Sequence, residues 1–339
     1  MVSPRDPLEQ ELLRSMKTDM VTTRAVGSWC NNYLGAFGRF ARWCAARQPP
    51  RQSCPALPLT VALYLRFVMD RADTFSVVKT ASGAIFAVHD VAMVPREQNP
   101  TKSELCKAVR EQAKRKFGLS VRHRKAAMPV ALLAAGIRAY HTDSRGEFSI
   151  IRLTVACMGA VMWAGCLRYS DMRMIWVGAM RFYSTHMVFL LTTRKNDQYS
   201  EGDVVYVARG GKHFCPVGLS ERLVAAGQLS GSVNLFQGWD GRKAVRDSQV
   251  PLNGRHIEYQ ACRREIIRMV AQAAGKTEAE VTAVFGTQSM RSGGATVVAQ
   301  RVSFAEFMRH EHWMTQSAAM RYIQPSTEER VAVTAAAEY

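Results

Sequence analysis

The segment Gln288-Ser289-Met290-Arg291-Ser292-Gly293-Gly294-Ala295-Thr296 is the most informative stretch of this chain. Trp313 follows its arginine after 22 residues, and Tyr322 follows that tryptophan after 9. Further upstream, Gly165-Cys166-Leu167-Arg168-Tyr169-Ser170-Asp171 supplies a second arginine, and Thr193-Arg194-Lys195-Asn196-Asp197-Gln198 supplies a lysine. Two arginines, a lysine and a tyrosine, spread over four segments, are therefore the residues whose chemistry has to be explained.

These residue types suit chemistry on a phosphodiester. A tyrosine phenol can be the nucleophile, and the aryl phosphodiester that it forms conserves the bond energy, so rejoining needs no ATP. Arginine makes two parallel charge-assisted bonds to phosphate oxygens, so two arginines can bracket one phosphate. A lysine in a hairpin turn can protonate the departing 5′ oxygen. The set predicts strand cleavage without a metal, a nucleotide or another cofactor.

The bulk composition indicates a globular chain with a polyanionic partner. Its 339 residues suffice for two domains, 47% of them are hydrophobic, and the formal net charge is +17. Residues 1–126 hold 21 Lys/Arg against 10 Asp/Glu, and residues 127–339 hold 24 against 18. The densest basic run extends from Lys102 to Lys125, and a solvated helix face is the alternative explanation for it. We predict phosphate contacts from the basic residues of this run: Lys102, Lys107, Arg110, Lys114, Arg115, Lys116, Arg122, Arg124 and Lys125.

Other classes of protein fit less well. No apolar run approaches the roughly 20 residues that span a bilayer, so we expect no membrane partner. The N-terminus lacks the apolar core of a signal peptide, which favours an intracellular, DNA-associated protein: nuclear in a eukaryote, in the cytoplasm or nucleoid of a bacterium. The eight cysteines form no C-x-x-C pair, and no Cys/His cluster has the spacing of zinc ligands, so we expect free thiols and no metal.

Residues 1–118 predict an all-helical, basic domain. Aromatic residues recur in steps of four and three between Val21 and Arg47, which indicates one long amphipathic helix that ends before Pro49. Further helices are expected over 59–72, 76–93 and 101–117. The aromatic residues at helical spacing are assigned to packing: Trp29, Tyr33 and Phe37. The short basic segment 119–126 is predicted to be a linker.

Residues 127–325 predict a second domain of α+β type. Helices are expected over 130–140, 148–164, 220–227, 257–274, 281–302 and 304–310, and a final short helix should carry Tyr322. The β-rich runs 187–192 and 203–207 predict an antiparallel hairpin with the polar segment 193–202 as its turn. The fold class is therefore mainly α with a small antiparallel sheet. The tail 326–339 is compatible with a helix.

In order and spacing, these motifs resemble the tyrosine recombinases, also called the phage integrase family. The resemblance covers roughly 127–325, and it implies that Tyr322 is the nucleophile. Arg168, with Asp171 as the acidic residue of its box, looks like the first arginine, and Arg291 looks like the second. Lys195 looks like the hairpin lysine, and Trp313 stands where the family carries His or Trp.

The resemblance also implies an architecture and partners. The N-terminal half fits the family's SAM-like core-binding domain in character only. Together the two domains would form a C-shaped clamp around double-stranded DNA. Recombination in the family passes through a four-way junction, which implies a homotetramer on paired sites. The tail 326–339 is a candidate segment for docking onto a neighbouring protomer, with an unstructured terminus as the alternative.

One position departs from the family pattern. The box usually written His-x-x-Arg has Gln288 in place of the histidine. Glutamine can donate a hydrogen bond to a phosphate oxygen but cannot transfer a proton near neutral pH, so the chemistry should be slower by some part of the roughly 10²–10⁴-fold that acid–base catalysis contributes. His310 or His312 could compensate, or either could be a surface residue.

Each motif alone has an ordinary structural explanation. Arg168 could pair with Asp171 one helical turn on, lysines are common in hairpin turns, and Trp313 and Tyr322 could be packing residues. Together the motifs predict a site-specific DNA recombinase or integrase. The sequence leaves open a type IB topoisomerase-like enzyme and a mobile-element protein that binds DNA without cutting it. Residues 291–296 are similar to recombinases of DIRS-like retroelements, and a phage or plasmid integrase is the other possible source.

Overall fold

The chain separates into two compact units, 1–122 and 123–339, so the boundary falls within the range 119–126. The computed structural model describes residues 6–7, 10–12, 14–15, 30–118, 125–140, 148–192, 202–210, 213–239, 252–310 and 315–324. Residues 119–124 and the tail 326–339, which carry the linker and docking predictions, lie outside these ranges.

The first unit is helical throughout its described elements. A π-helical turn at Cys30–Leu34 leads into α1, and two 3₁₀ turns precede the last helix. The helices are α1 (Gly35–Ala45), α2 (Pro58–Arg71), α3 (Phe75–Val91) and α4 (Glu104–Gly118), with the 3₁₀ turns at Arg96–Gln98 and Pro100–Lys102. The helix expected over 21–47 is therefore observed only in part, because 21–29 are outside the described residues.

The last helix of this unit begins later than the sequence pattern indicated. The Asn99 side chain accepts hydrogen bonds from the amide and hydroxyl of Thr101, at 3.2 and 2.8 Å, and so closes a separate 3₁₀ turn. The hydroxyl of Ser103 then accepts from the amide of Cys106 at 3.3 Å, and α4 starts at Glu104. The prediction of one helix from Thr101 was wrong because two successive side-chain caps divide the segment.

Aromatic packing forms the core of the first unit. Phe40 is fully buried, and its ring lies 4.9 Å from that of Tyr64, which also contacts Trp43 at 5.4 Å. Phe37 packs against the same cluster. Tyr33 is half-buried, with its hydroxyl near the backbone of Gly83, and Trp29 lies outside the described residues.

The second unit combines helices with two small antiparallel sheets. One sheet has the strand order β1-β2-β3, in which Leu191 pairs with Asp203 at the end of the β2–β3 hairpin that adjoins its connecting segment, and the other contains β4 and β5. The strands of the second unit are β1 (Met180–Phe182), β2 (His186–Leu191), β3 (Asp203–Ala208), β4 (Gln237–Trp239) and β5 (Leu252–His256). Its helices are α5 (Val130–Ala139), α6 (Ile150–Ala164), α7 (Tyr169–Met172), α8 (Pro216–Ala226), α9 (Tyr259–Ala274), α10 (Glu278–Val284), α11 (Thr287–Ala299), α12 (Phe304–His310) and α13 (Gln316–Ala319). A 3₁₀ turn at Val177–Ala179 precedes β1.

The helix α6 is the centre of this unit. Its residues are buried without interruption from Leu153 to Met162. A helix that is apolar on all sides must be enclosed by its neighbours, and α5, α8, α9 and α11 all pack against it. The mainly helical α+β fold class expected from the sequence is confirmed.

Two boundaries near the predicted catalytic motifs differ from the sequence-based prediction. The helix expected over 281–302 is interrupted at Phe285-Gly286, where the Gly286 amide donates to the Ser289 hydroxyl at 3.0 Å and α11 begins anew. The helix expected to carry Tyr322 ends at Ala319, and the Tyr322 amide closes a turn by donating to the Ala319 carbonyl at 2.9 Å. Both differences place the motif residues at or beside helix ends.

None of the helices within the described ranges is long and apolar enough to cross a membrane.

Candidate active site

The end of α6 positions the first arginine. The Leu167 amide donates to the Met162 carbonyl at 2.9 Å and the Cys166 amide donates to the Trp163 carbonyl at 3.3 Å, which is the bonding pattern of a Schellman cap. Cys166 occupies the left-handed position of this cap, with φ of 45°, where glycine is the usual residue. The cap turns the chain sharply, so Arg168 becomes the N-cap of the next helix, α7.

Asp171 holds Arg168 in place. Its carboxylate is 1% exposed and accepts a hydrogen bond from the Arg168 backbone amide at 3.0 Å. The Arg168 guanidinium lies 3.9 Å from the same carboxylate oxygen. The box formed by these two residues is therefore a local unit in which the acid fixes the arginine backbone by a hydrogen bond and forms a longer ion pair with its side chain.

The second arginine reaches the same turn from another helix. Arg291 lies in α11, is 2% exposed, and donates a hydrogen bond from Nη1 to the Cys166 carbonyl. Cys166 is two residues before Arg168, so the hydrogen bond joins the two arginine-bearing segments. The left-handed Cys166 is the element through which they meet, and the sequence spacing gave no sign of it.

The glycine pair after Arg291 allows this approach. A Cβ on Gly293 would overlap the Met128 carbonyl and lie 2.6 Å from the Trp163 indole nitrogen. A Cβ on Gly294 would overlap the Trp163 carbonyl and lie 2.9 Å from the Cys166 sulfur. Because backbone atoms cannot move aside as a flexible side chain can, α11 can pack against the end of α6 only where it has no side chains.

We expect Gly294→Ala to destabilise the second unit by about 3 kcal/mol, because its Cβ meets backbone in a closely packed core. For a unit of this size the loss corresponds to a fall in melting temperature of about 6–12 °C, measured by thermal unfolding. Gly218→Ala is the matched control, because its Cβ would meet only Cys215 at ordinary contact distances of 3.5 Å and more. Equal melting temperatures for the two variants would contradict the close-approach explanation.

Tyr322 lies against the second arginine of the same chain. Its ring centroid is 5.1 Å from the Arg291 guanidinium carbon, within the range of a cation–π contact. The ring is half-buried and packs on a small cluster made of Cys166, Ala295, Phe307 and Ala319. The turn that carries Tyr322 is thus seated on α11, α12 and the Cys166 turn, within one protomer.

The structure describes only some of the remaining residues predicted for the site. Gln288 is exposed in the first turn of α11, three residues before Arg291. Lys195, His312 and Trp313 lie outside the described residues, as does the side chain of His310. The β2–β3 pairing shows that the segment with Lys195 joins two hydrogen-bonded strands, as the hairpin prediction required.

The predicted phosphate contacts divide into exposed and internally bonded residues. Lys102 and Arg115 are exposed, and Lys107 and Lys114 form exposed ion pairs with neighbouring glutamates on α4 at 2.5 and 2.6 Å. Such exposed ion pairs contribute little to folding stability, and they leave the cations accessible to a ligand. Arg122 and Arg124 lie outside the described residues.

Three cations of the run have partners inside their own unit. Arg110 donates to the Thr101 carbonyl at 2.6 Å, Lys116 donates to the Met69 carbonyl at 3.2 Å, and Lys125 donates to the Thr282 carbonyl at 2.5 Å. Lys125 also donates to the Ala283 carbonyl at 3.0 Å, so it caps the end of α10. Counting charges along the sequence could not reveal these internal hydrogen bonds.

A basic groove in the first unit was not predicted. It has a volume of about 570 Å³ and combines Lys79, Lys102 and Arg110 with the hydroxyls of Ser76 and Thr80. Lys79 lies in the largely apolar α3, which is why a search for charge runs missed it. Cations next to hydroxyl donors are the groups that bind phosphate oxygens.

Comparison with known proteins finds similar folds among solved structures but no similar sequence. No protein-family model matches the chain, and no curated protein sequence matches it. Among solved structures, the Tn1549 transposon integrase in complex with transposon right-end DNA matches 94% of this chain and 97% of its own, at 10% identity and a TM-score of 0.58. The XerH site-specific recombinase bound to a palindromic difH substrate matches 94% of this chain and 80% of its own, at 10% identity and a TM-score of 0.57. A lambda integrase tetramer bound to a Holliday junction matches 95% and 82%, at 10% identity and a TM-score of 0.55. The fold of this chain is therefore similar to that of tyrosine recombinases and integrases.

Proposed function

We propose that this protein is a tyrosine recombinase, a site-specific DNA recombinase or integrase that cuts and rejoins DNA through a covalent bond to Tyr322. The observation that carries the proposal is the meeting of three motifs at one turn: Arg291 bonded to the Cys166 carbonyl, Arg168 two residues further, and the Tyr322 ring beside Arg291. A fold similar to DNA-bound recombinases supports the proposal without assigning the residues.

The proposed cleavage step transfers one phosphoryl bond. The Tyr322 phenol oxygen attacks the phosphorus, the bond from phosphorus to the 5′ oxygen breaks, and a 3′-phosphotyrosine forms. The phenol releases its proton to water, and the departing 5′ oxygen takes a proton from Lys195, so charges and atoms balance. Attack by a 5′ hydroxyl reverses the step and releases the tyrosine.

The two arginines would stabilise the charge on the phosphorane. A guanidinium carries five N–H donors, so one arginine such as Arg291 can bond to the Cys166 carbonyl and to phosphate oxygens with different N–H groups. Asp171 fixes the backbone of Arg168 and pairs with its guanidinium at 3.9 Å, while 21% of the Arg168 side chain stays exposed. Gln288, exposed one turn before Arg291, would donate a hydrogen bond to a phosphate oxygen but supply no proton.

The first unit would supply backbone contacts to the duplex. The basic groove around Lys79, Lys102 and Arg110 has the cations and hydroxyls for this role. Such contacts make binding fall steeply with salt. In this proposal four protomers would assemble on two sites, with 326–339 docking onto a neighbour, and the similarity at 291–296 favours a retroelement as the source.

The proposal is tested by the polarity of cleavage. Nicked duplexes are drawn from a random-sequence pool, and the strand that is cut is labelled either at its 5′ end or at its 3′ end. They are incubated with the protein in EDTA and separated on a denaturing gel. We expect the strand ending in 3′ phosphate to migrate with the protein and the other fragment to carry a free 5′ hydroxyl. Retarded complexes in a native gel with no cleavage in any lane would favour a DNA-binding protein without catalysis.

A second assay separates recombination from nicking and resealing. Two duplexes with the selected site and different labels are mixed with the protein. Products that carry both labels indicate strand exchange, whereas relaxation of a supercoiled plasmid without such products would support a topoisomerase-like enzyme.

A further inference from the structure

The residue two positions after Tyr322 makes a double hydrogen bond to a distant segment. The Gln324 side-chain nitrogen Nε2 donates to the Lys125 carbonyl at 3.1 Å, and the side-chain oxygen Oε1 accepts from the Ala127 backbone amide at 2.9 Å. One side chain thus pairs with the backbone of 125–127 much as a neighbouring strand would. An ionised aspartate or glutamate could not make both bonds because it only accepts, and a lysine could not because it only donates, whereas the glutamine amide does both.

The backbone of Gln324 is tied to the helix of the second arginine. Its amide donates to the Thr296 hydroxyl at 3.1 Å, and that hydroxyl donates to the Ser292 carbonyl one turn earlier in α11 at 2.7 Å. The Thr296 hydroxyl also lies 3.4 Å from the Tyr322 carbonyl. The chain after Tyr322 is therefore fixed on two sides, at α11 and at 125–127.

The segment that receives Gln324 is itself held by the active-site helices. The Ala126 amide donates to the Val284 carbonyl at 2.8 Å, and the Met128 amide donates to the Ser289 carbonyl at 2.9 Å. Lys125 adds the two bonds from its ammonium to the end of α10. Gln324 consequently bonds to a support that also fixes the start of α11, where Gln288 and Arg291 lie.

We propose that Gln324 is a positioning residue that seats Tyr322 beside Arg291 of the same protomer, a claim that rests on the proposed function. The turn from Met320 to Gln324 is short, and Tyr322 lies between the buried Ala319 and the Gln324 bonds. With both ends fixed, few orientations of the phenol remain. Freeing one end lets the phenol move away from the attack position, which lowers the rate without removing a reacting group.

The test compares Gln324→Ala and Gln324→Glu with Gln316→Ala. Gln324→Glu keeps the shape and the acceptor for Ala127 but sets a carboxylate oxygen against the Lys125 carbonyl. Gln316 is an exposed residue at the start of α13 and serves as the matched control. We expect single-turnover cleavage to fall about 10- to 100-fold in both Gln324 variants, with DNA affinity unchanged and no change in the control.

Two measurements do not depend on cleavage. Exchange of the Ala127 amide hydrogen should accelerate at least tenfold in Gln324→Ala, because its acceptor is gone. The ¹⁹F resonance of 3-fluorotyrosine at position 322 should move toward that of the free amino acid in both variants.

The outcomes are distinct. An unchanged fluorine resonance and unchanged Ala127 exchange in Gln324→Ala would overturn the positioning role, whatever the activity. A wild-type protein that cuts no DNA while the resonance still shifts on substitution would support the seating of Tyr322 and contradict the proposed function alone.

Discussion

Tyr322→Phe should abolish covalent attachment to DNA and leave DNA binding unchanged. The substitution removes one oxygen, whereas the ring keeps its packing on Cys166, Ala295 and Phe307 and its position beside Arg291. Without the phenol oxygen no phosphotyrosine can form, because the bond that breaks must be replaced by a bond to the nucleophile. Adducts are counted on a denaturing gel and binding is measured by a native gel at the same salt concentration.

Tyr183→Phe is the matched control for this experiment. Its ring is 49% exposed in the segment between β1 and β2, so loss of its hydroxyl should change neither adduct yield nor stability. Persistence of the adduct in Tyr322→Phe would show that another residue attacks the DNA. Loss of DNA binding together with the adduct would indicate that the hydroxyl has a structural role.

Arg291→Lys should lower the rate of cleavage by about 10³–10⁵-fold, the range found for arginines that stabilise a transferring phosphoryl group. Lysine keeps the charge but cannot bond to the Cys166 carbonyl and to a phosphate in the fixed planar geometry of a guanidinium. The rate is measured in single turnover at saturating protein. Arg301→Ala, two residues beyond α11 and exposed, is the control and should cleave within about twofold of wild type.

Folding has to be checked for Arg291→Lys, because Arg291 is 2% exposed. We expect a melting temperature that still shows a folded second unit, since the lysine ammonium can donate to the Cys166 carbonyl in place of the guanidinium. Wild-type cleavage by a folded Arg291→Lys protein would contradict a role of the guanidinium in catalysis.

Mixing Arg291→Lys with Tyr322→Phe tests whether the two groups act within one protomer. The Tyr322 ring lies beside Arg291 of its own chain, so no complete site can arise in the mixture and cleavage should stay at the level of the separate variants. Recovery on mixing would show that the tyrosine is supplied by a neighbouring protomer.

Local sequence pattern predicted most elements of the fold. The helices α2, α3, α6 and α9 have apolar residues at helical spacing and begin or end near Pro or Gly, so their boundaries agree with the prediction within about two residues. The β2–β3 hairpin was predicted for the same reason, because two β-rich runs flank a polar segment. The short strands β1 and β4 were missed, since three residues cannot show an alternating pattern.

The details that form the site depend on contacts between distant segments. The glycines at 293 and 294 belong to the arginine motif, but their role is visible only in the contact between α11 and the end of α6. The same is true of the left-handed Cys166 and of Lys125 at the end of α10. Gln324 carried no signal at all, because a single glutamine in a polar segment is ordinary. Spacing along the chain identified reacting groups, whereas the residues that position them became visible only in three dimensions.

The phosphotyrosine mechanism is tested most sharply by identifying the amino acid that carries the DNA. The trapped adduct is digested with nuclease and trypsin, and the nucleotide-bearing peptide is sequenced by mass spectrometry. We expect a nucleotide attached through a 3′ phosphate to Tyr322. A nucleotide on any other residue, such as Ser289 or Tyr206, would contradict it.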